Sequence, residues 1–180
     1  MDGPHKLLLP LGGRPLIRHP IEAVFAAGLD PVGVVVGAEA EAVRDSLADL
    51  SVVVIENPDF ASGLSSSVAC GLAWAAERAD AAVVLLGDEP EIDADVIRRA
   101  VRAWGALDAP AARVRYSDRP GHPVIVRLPL PAGVSTAGDR GLWGQVAAMS
   151  GVHEIVVCEG APIDIDTKGD YRQALARLPH

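Results

Sequence analysis

Four short segments of this chain carry side chains able to do chemistry. In LLGDEP an apolar run ends at Asp88, with Pro90 close behind to stop the strand. A carboxylate at a strand end can hold Mg²⁺, which takes few protein oxygens and keeps several waters; a turn or helix-cap aspartate is the ordinary alternative. In PIDIDT, Asp164 and Asp166 lie two apart and share a face if the segment is extended. Two such carboxylates repel unless a cation sits near them. Alone, the pair is more commonly a solvated acidic edge; with Asp88 at a second strand end the metal reading becomes competitive. In SGLSSSV, Gly63 and three hydroxyls open a helix and offer backbone N–H groups and serine oxygens to an anion or a base edge, or a plain serine N-cap. In GPHKLLLPLGGR, Lys6 is one of only two lysines, with Lys168, and is either a phosphate ligand or a solvated amine.

Other chemistries lack their spacing. The chain has no G-x-x-x-x-G-K-[ST] and no G-x-G-x-x-G. Its five histidines show no H-E-x-x-H, and there is no G-x-S-x-G, so metalloprotease and serine hydrolase readings have no support. His122, between Gly121 and Pro123, reads as a rigid turn or a hydrogen-bonding group on the substrate side.

These segments need a scaffold, and the composition supplies a globular one. With 180 residues, 49% hydrophobic and 22% charged, residues 1–180 are expected to form one domain with a largely aliphatic core. A net charge of −8 repels phosphate backbones and anionic bilayers, which excludes nucleic acid and membrane surfaces as expected partners. Cys70 and Cys158 stand apart, outside any metal or disulfide spacing. No apolar run approaches the ~18 residues of a membrane span, and no signal-peptide pattern opens the chain. The expectation is a soluble, cytoplasmic protein.

VGVVV, VVVI at 52–55 and AAVVLL at 81–86 are continuous apolar runs, the pattern of strands covered on both faces. Helical patterns alternate with them, and the one after the third run places Ile92, Val96, Ile97, Ala100, Val101 and Trp104 on one face behind an N-cap at Asp93. AARVRYSD and HPVIVR read as a more exposed strand pair, EIVVC as another strand and GDYRQALARL as a closing helix. Strand and helix alternation predicts an α/β fold with a mostly parallel sheet and helices on both faces. In such sheets ligands sit beyond the carboxyl ends of the strands, where the segments above fall.

Taken in order, PHKLLLPLGGRPLIRH, NPDFASGLSSSVACGL, VVLLGDEP, GHPV, GDRG and DIDT followed by GD resemble the molybdenum cofactor (molybdopterin) cytidylyltransferases of the NTP-transferase family. The resemblance spans nearly the whole chain. It implies a Rossmann-like nucleotidyltransferase fold, Mg²⁺ as cofactor, and CTP and the molybdenum cofactor as substrates. A terminal phosphate of the cofactor would attack the α-phosphate of CTP and pyrophosphate would leave. Carried over, Lys6 and Asp88 are catalytic, Asp88 and Asp166 hold the metal, and Lys6, Gly63 and Ser67 bind nucleotide. His122, Asp139 and Arg140 lie on the pterin side. A molybdoenzyme or its maturation chaperone would be a further partner.

The sequence departs from that pattern in several places. Glu89 stands where the family often has Gln, Lys168 replaces the proline after D-I-D-T, and Pro20 is expected to interrupt the first helix. The family begins with a buried strand and a loop L-A-A-G-x-S-x-R-M-G-x-P-K, of which only M-D-G-P-H-K remains here. That strand would lie between VGVVV and AAVVLL. Losing about five buried apolar residues removes on the order of 10 kcal/mol, so this form is expected to be poorly stable and an upstream extension to cure it. The rival readings are a related enzyme using GTP or another phosphorylated acceptor, and a catalytically silent nucleotide- or cofactor-binding protein.

Overall fold

The computed structural model describes residues 6–130 and 142–177. A 3-10 turn at Lys6–Leu8 leads into a small hairpin of β1 (Pro10–Leu11) and β2 (Arg14–Pro15). Its two-residue turn is Gly12-Gly13, both at positive φ (58° and 79°), a conformation the primed hairpin turns require and glycine adopts without strain. Then come α1 (Arg18–Ala26), β3 (Val32–Val36), α2 (Ala40–Ser46), β4 (Val52–Glu56), α3 (Leu64–Ala76) and β5 (Ala81–Val84). The chain continues through α4 (Ala94–Gly105), β6 (Ala111–Arg115), β7 (Pro120–Arg127), α5 (Leu142–Val146), β8 (His153–Val156) and α6 (Lys168–Arg177).

The three apolar runs are β3, β4 and β5, with helices between them as the sequence pattern requires. Asp93 caps α4, its carboxylate accepting from the Asp95 N–H at 2.6 Å. One local expectation is corrected. Pro20 does not interrupt α1, because the helix starts at Arg18 and the proline falls in the first turn, where a backbone N–H has no intrahelical partner to lose.

The α/β class holds, with helices on both faces of the strands. Along β7, Val124 and Val126 pack with Val68 and Leu72 of α3, while Ile125 between them packs with Ile97 and Ala100 of α4. That period of two puts α3 and α5 on one face, α4 and α1 on the other. On the β3–β4 pair, Val36 packs with Ile21, Val43 and Leu47, so α1 and α2 cover one side; α3 covers the other.

Pairing is mixed. β3 and β4 are parallel, and so are β6 and β8, but β7 runs antiparallel to both β5 and β6. The antiparallel strand is the second of the pair expected to be more exposed; the pair is instead buried, with Ala111 and Val126 at 0% and Ile125 at 1% exposure because α3 and α4 cover both of its faces, and the short Tyr116–Arg119 turn lets it double back. Among the described residues, the strands outside the β1–β2 hairpin form two sheets with a gap between them, β3-β4 on one side and β5-β7-β6-β8 on the other.

Candidate metal and nucleotide site

The polypeptide beyond β5 turns at Gly87 and Asp88 and there meets two segments remote in sequence. The Asp88 carbonyl accepts the Ile165 N–H at 3.0 Å. Ile165 is fully buried among Leu11, Leu16 and Ala174. This apolar anchor fixes the PIDIDT segment against the GDEP turn, so the neighbouring aspartates project away from the core by simple alternation.

Lys6 joins the two segments. Its ammonium donates to Asp88 Oδ2 at 2.6 Å and to Asp166 Oδ1 at 2.8 Å. Partial burial disfavours the ammonium, but the bonds to Asp166 and Asp88 outweigh it and hold the lysine pKa above its ordinary value. Three residues named from sequence are thus gathered at one point. The same cannot be said of the two nearby aspartates: Asp164 turns to Arg119, 3.2 Å away, and does not share the Lys6 site.

Asp166 is held from behind. Thr167 and Asp170 form a reciprocal cap at the start of α6: the Thr167 N–H and hydroxyl donate to Asp170 Oδ2 at 2.7 and 2.8 Å, and the Asp170 N–H donates to Thr167 Oγ1 at 3.2 Å. The Asp166 N–H also reaches Asp170 Oδ2, at 3.3 Å. These bonds, led by that of the Thr167 side chain, hold the Asp170 carboxyl below the usual carboxylate range. Asp170 was not among the residues expected to act, although T-x-x-D ahead of a helix is itself a capping signal.

His122 stands next to this turn. Its Nδ1 is 3.0 Å from Glu89 Oε1, and its carbonyl accepts the Tyr116 hydroxyl at 2.6 Å. Glu89 is only 3% exposed. Burial, aided by the facing carboxyl of Asp164 and opposed by His122, pushes the Glu89 carboxyl up. Glu89 Oε2 and Asp164 Oδ1 are both buried without a hydrogen-bond partner, and a protonated Glu89 carboxyl can donate to the Asp164 side chain.

A pH-dependent stability follows. With its folded pKa raised, Glu89 contributes stability fully present below its unfolded pKa and lost as pH rises through the folded value. Glu89→Gln supplies an amide donor to Asp164 at every pH. The variant is expected to be about 1–2 kcal/mol more stable than the parent at pH 8 and indistinguishable from it near pH 4. Thermal melts at the two pH values check this; an equal effect at both would show that the Glu89 carboxyl is not raised by its burial.

The glycine-serine segment forms the start of α3. Gly63 occupies the N-cap with φ 101° and ψ 177°, in the region that favours glycine. Ser67 Oγ accepts from the Asn57 side-chain amide at 3.0 Å, and Ser66 Oγ accepts from the same amide at 2.8 Å. Asn57, just past β4 and 5% exposed, therefore fixes two of the three hydroxyls, a role not foreseen from sequence. Ser67 and Gly87 both border the gap between the sheets. Asp139 and Arg140 lie outside the described residues.

Among the described residues no three histidine, cysteine or acidic side chains converge as a ready-made metal cage. The two carboxylates that share the Lys6 ammonium are hard oxygen donors already arranged around a cation. That donor set fits Mg²⁺ or Mn²⁺, which commonly bind one or two carboxylates and take further oxygens from phosphates and water.

Comparison with known proteins decides the family. Residues 1–158 match the model of the MobA-like NTP transferase domain. The chain belongs to the MobA-like NTP transferase family. Its structure resembles Rv0371c of Mycobacterium tuberculosis in complex with manganese, with a TM-score of 0.76 and 30% identity over 96% of this chain and 92% of that one. It also resembles a nucleotidyl transferase from Methanothermobacter thermautotroptrophicus, with a TM-score of 0.81 and 26% identity over 98% of this chain and 86% of the other. Family and fold place the chain among the nucleotidyltransferases, a group that uses divalent metals.

Among curated relatives, nicotine blue oxidoreductase of Paenarthrobacter nicotinovorans is 32% identical over 178 residues, covering 90% of this chain and 83% of that protein. The bifunctional protein GlmU of Symbiobacterium thermophilum is 34% identical over 107 residues, and the match takes in only 22% of its length. No helix among the described residues of this NTP transferase is long and apolar enough to cross a membrane.

Proposed function

We propose that this NTP transferase moves CMP from CTP to the molybdenum cofactor, with Mg²⁺ held by Asp88 and Asp166. The observation that carries the proposal is the pair of carboxylates from remote segments arranged around one cation, with Lys6 as that cation. Bound there, Mg²⁺ would supply charge neutralisation and alignment of phosphate oxygens.

The chain's own groups have separable tasks. The Lys6 ammonium, relieved of its carboxylates, is free to bind triphosphate oxygens as a point charge. Gly63 lets the backbone approach the nucleotide without a Cβ, and the N–H groups at the start of α3 favour anionic or acceptor edges. Asn57 presets Ser67 for the same ligand. His122, bonded to Glu89 next to Asp88, would face the acceptor. The acceptor phosphate oxygen bonds to the α-phosphorus of CTP as the bond to the bridging oxygen breaks, and pyrophosphate carries away the negative charge.

A related reaction using GTP or another phosphorylated acceptor keeps the metal and lysine groups and changes only the ligand edges met near Ser67. A redox activity is the second reading, favoured by the match to nicotine blue oxidoreductase over most of both chains. A silent nucleotide- or cofactor-binding protein is the third. Calorimetric titration with Mg²⁺-CTP and, in parallel, Mg²⁺-GTP tests the donor. Selective CTP binding that vanishes on chelation is expected. Tighter GTP binding would move the donor assignment, and binding of neither would favour the redox reading.

A further inference from the structure

His122 and Glu89 form a pair whose geometry fixes more than the position of a ring. Glu89 Oε1 lies 3.0 Å from His122 Nδ1. The Glu89 side chain is 3% exposed. Its other oxygen, Oε2, is buried, as is Oδ1 of the facing Asp164, neither with a hydrogen-bond partner. Asp164 is held in turn by Arg119, which donates to its Oδ2 at 3.2 Å and also to the Pro162 carbonyl. The main chain of His122 is fixed from a second direction. The Tyr116 hydroxyl donates to its carbonyl at 2.6 Å, and the Tyr116 ring packs so closely on Gly121 that a Cβ there would lie 3.1 Å from it. Of the imidazole, Nε2 alone is unbonded among the described residues, on a side chain 22% exposed.

A neutral imidazole carries one proton, and the bond made at one nitrogen decides which of the two holds it. An ionised Glu89 can only accept at Oε1. A protonated Glu89 accepts there as well, because its proton belongs on Oε2, against the orphaned Asp164 oxygen. Either form calls for an N–H at Nδ1 and leaves the lone pair on Nε2. An unrestrained imidazole in water favours the opposite arrangement, so the pair reverses an ordinary preference. We propose that Glu89 is a positioning residue that holds His122 in the Nδ1–H form, so that Nε2 accepts a hydrogen bond from an N–H or O–H group of the transfer acceptor. That role rests on the proposed acceptor-facing position of His122, and it narrows what the ring can recognise. A fully ionised phosphate offers no donor, so His122 in this form reads another part of the acceptor.

The test reads the imidazole nitrogens directly. Nitrogen NMR spectra of the isotopically labelled chain, free of metal and nucleotide, are recorded at pH 8 for the parent, Glu89→Gln and Glu89→Leu. The parent is expected to show His122 protonated at Nδ1. Glu89→Gln is expected to keep that form, since its amide oxygen accepts from Nδ1–H while its amide nitrogen donates to Asp164. Glu89→Leu offers no acceptor, and the ring is expected to pass to the Nε2–H form. In transfer assays the leucine variant should raise KM for the acceptor about tenfold, the loss of one hydrogen bond, with KM for Mg²⁺-CTP unchanged; the glutamine variant should restore the acceptor KM. The spectra need neither substrate nor metal, so they decide the ring's form even where no CMP transfer is found and the proposed function falls. A parent ring protonated at Nε2 would overturn the assignment, whatever the leucine variant does to folding. So would a ring unchanged in folded Glu89→Leu, or acceptor and CTP KM values that rise together.

Discussion

Asp88→Asn is expected to lower nucleotide transfer by about a thousandfold or more, with the fold intact. The substitution keeps the volume and one oxygen of the side chain, and the Asp88 carbonyl still receives the Ile165 N–H that ties the two segments together. What it removes is one of two negative charges facing the cation position. Losing half of a two-carboxylate set costs both metal affinity and charge stabilisation in the transition state, about 4 kcal/mol together, which is about three decades of rate. Single-turnover transfer at saturating metal, with a circular-dichroism melt of the variant, separates this from unfolding. Transfer within tenfold of the parent would remove Asp88 from the metal set.

Lys6→Met carries the second large effect and a sign that distinguishes it. The Lys6 ammonium bridges Asp88 and Asp166, so a metal ion taking both carboxylates would displace it. Without the ammonium the two carboxylates face each other uncompensated, and Mn²⁺ alone is expected to bind about tenfold more tightly. Turnover should move the other way, falling about a hundredfold or more, because the triphosphate loses a charged donor. Mn²⁺ titration and transfer rates measured on the same variant check both halves. Weaker Mn²⁺ binding would show that the lysine helps build the metal site and does not compete with the metal.

How far the sequence reached follows physical lines. Continuous Val/Ala/Leu runs announced β3, β4 and β5 as strands, although only Val32 and Val36 among them are buried, and the 3.6-residue pattern with Asp93 ahead of it announced α4. Asp88, Asp166 and Lys6 drew notice through a strand-end position, a paired spacing and the scarcity of lysine, and the roles proposed for them came from the family resemblance. Their convergence was not legible, since it depends on the Ile165 N–H reaching the Asp88 carbonyl across the molecule. Glu89 and Asn57 were hidden for a related reason: their importance comes from burial and from partners at His122 and Ser67, neither of which local composition records. The strong periodic signals were blind to the antiparallel direction of β7, which a short turn sets.

Asp88, Asp166 and Lys6 are the proposed divalent-metal site for nucleotide transfer. The most direct measurement is pyrophosphate release from CTP in the presence of molybdenum cofactor, followed with Mg²⁺, with a chelator, and with Mg²⁺ restored. The account predicts release that depends on both the acceptor and the metal, with nucleotide appearing on the acceptor in equal amount. Acceptor-dependent turnover that survives chelation, or cofactor altered with no pyrophosphate formed, would contradict it.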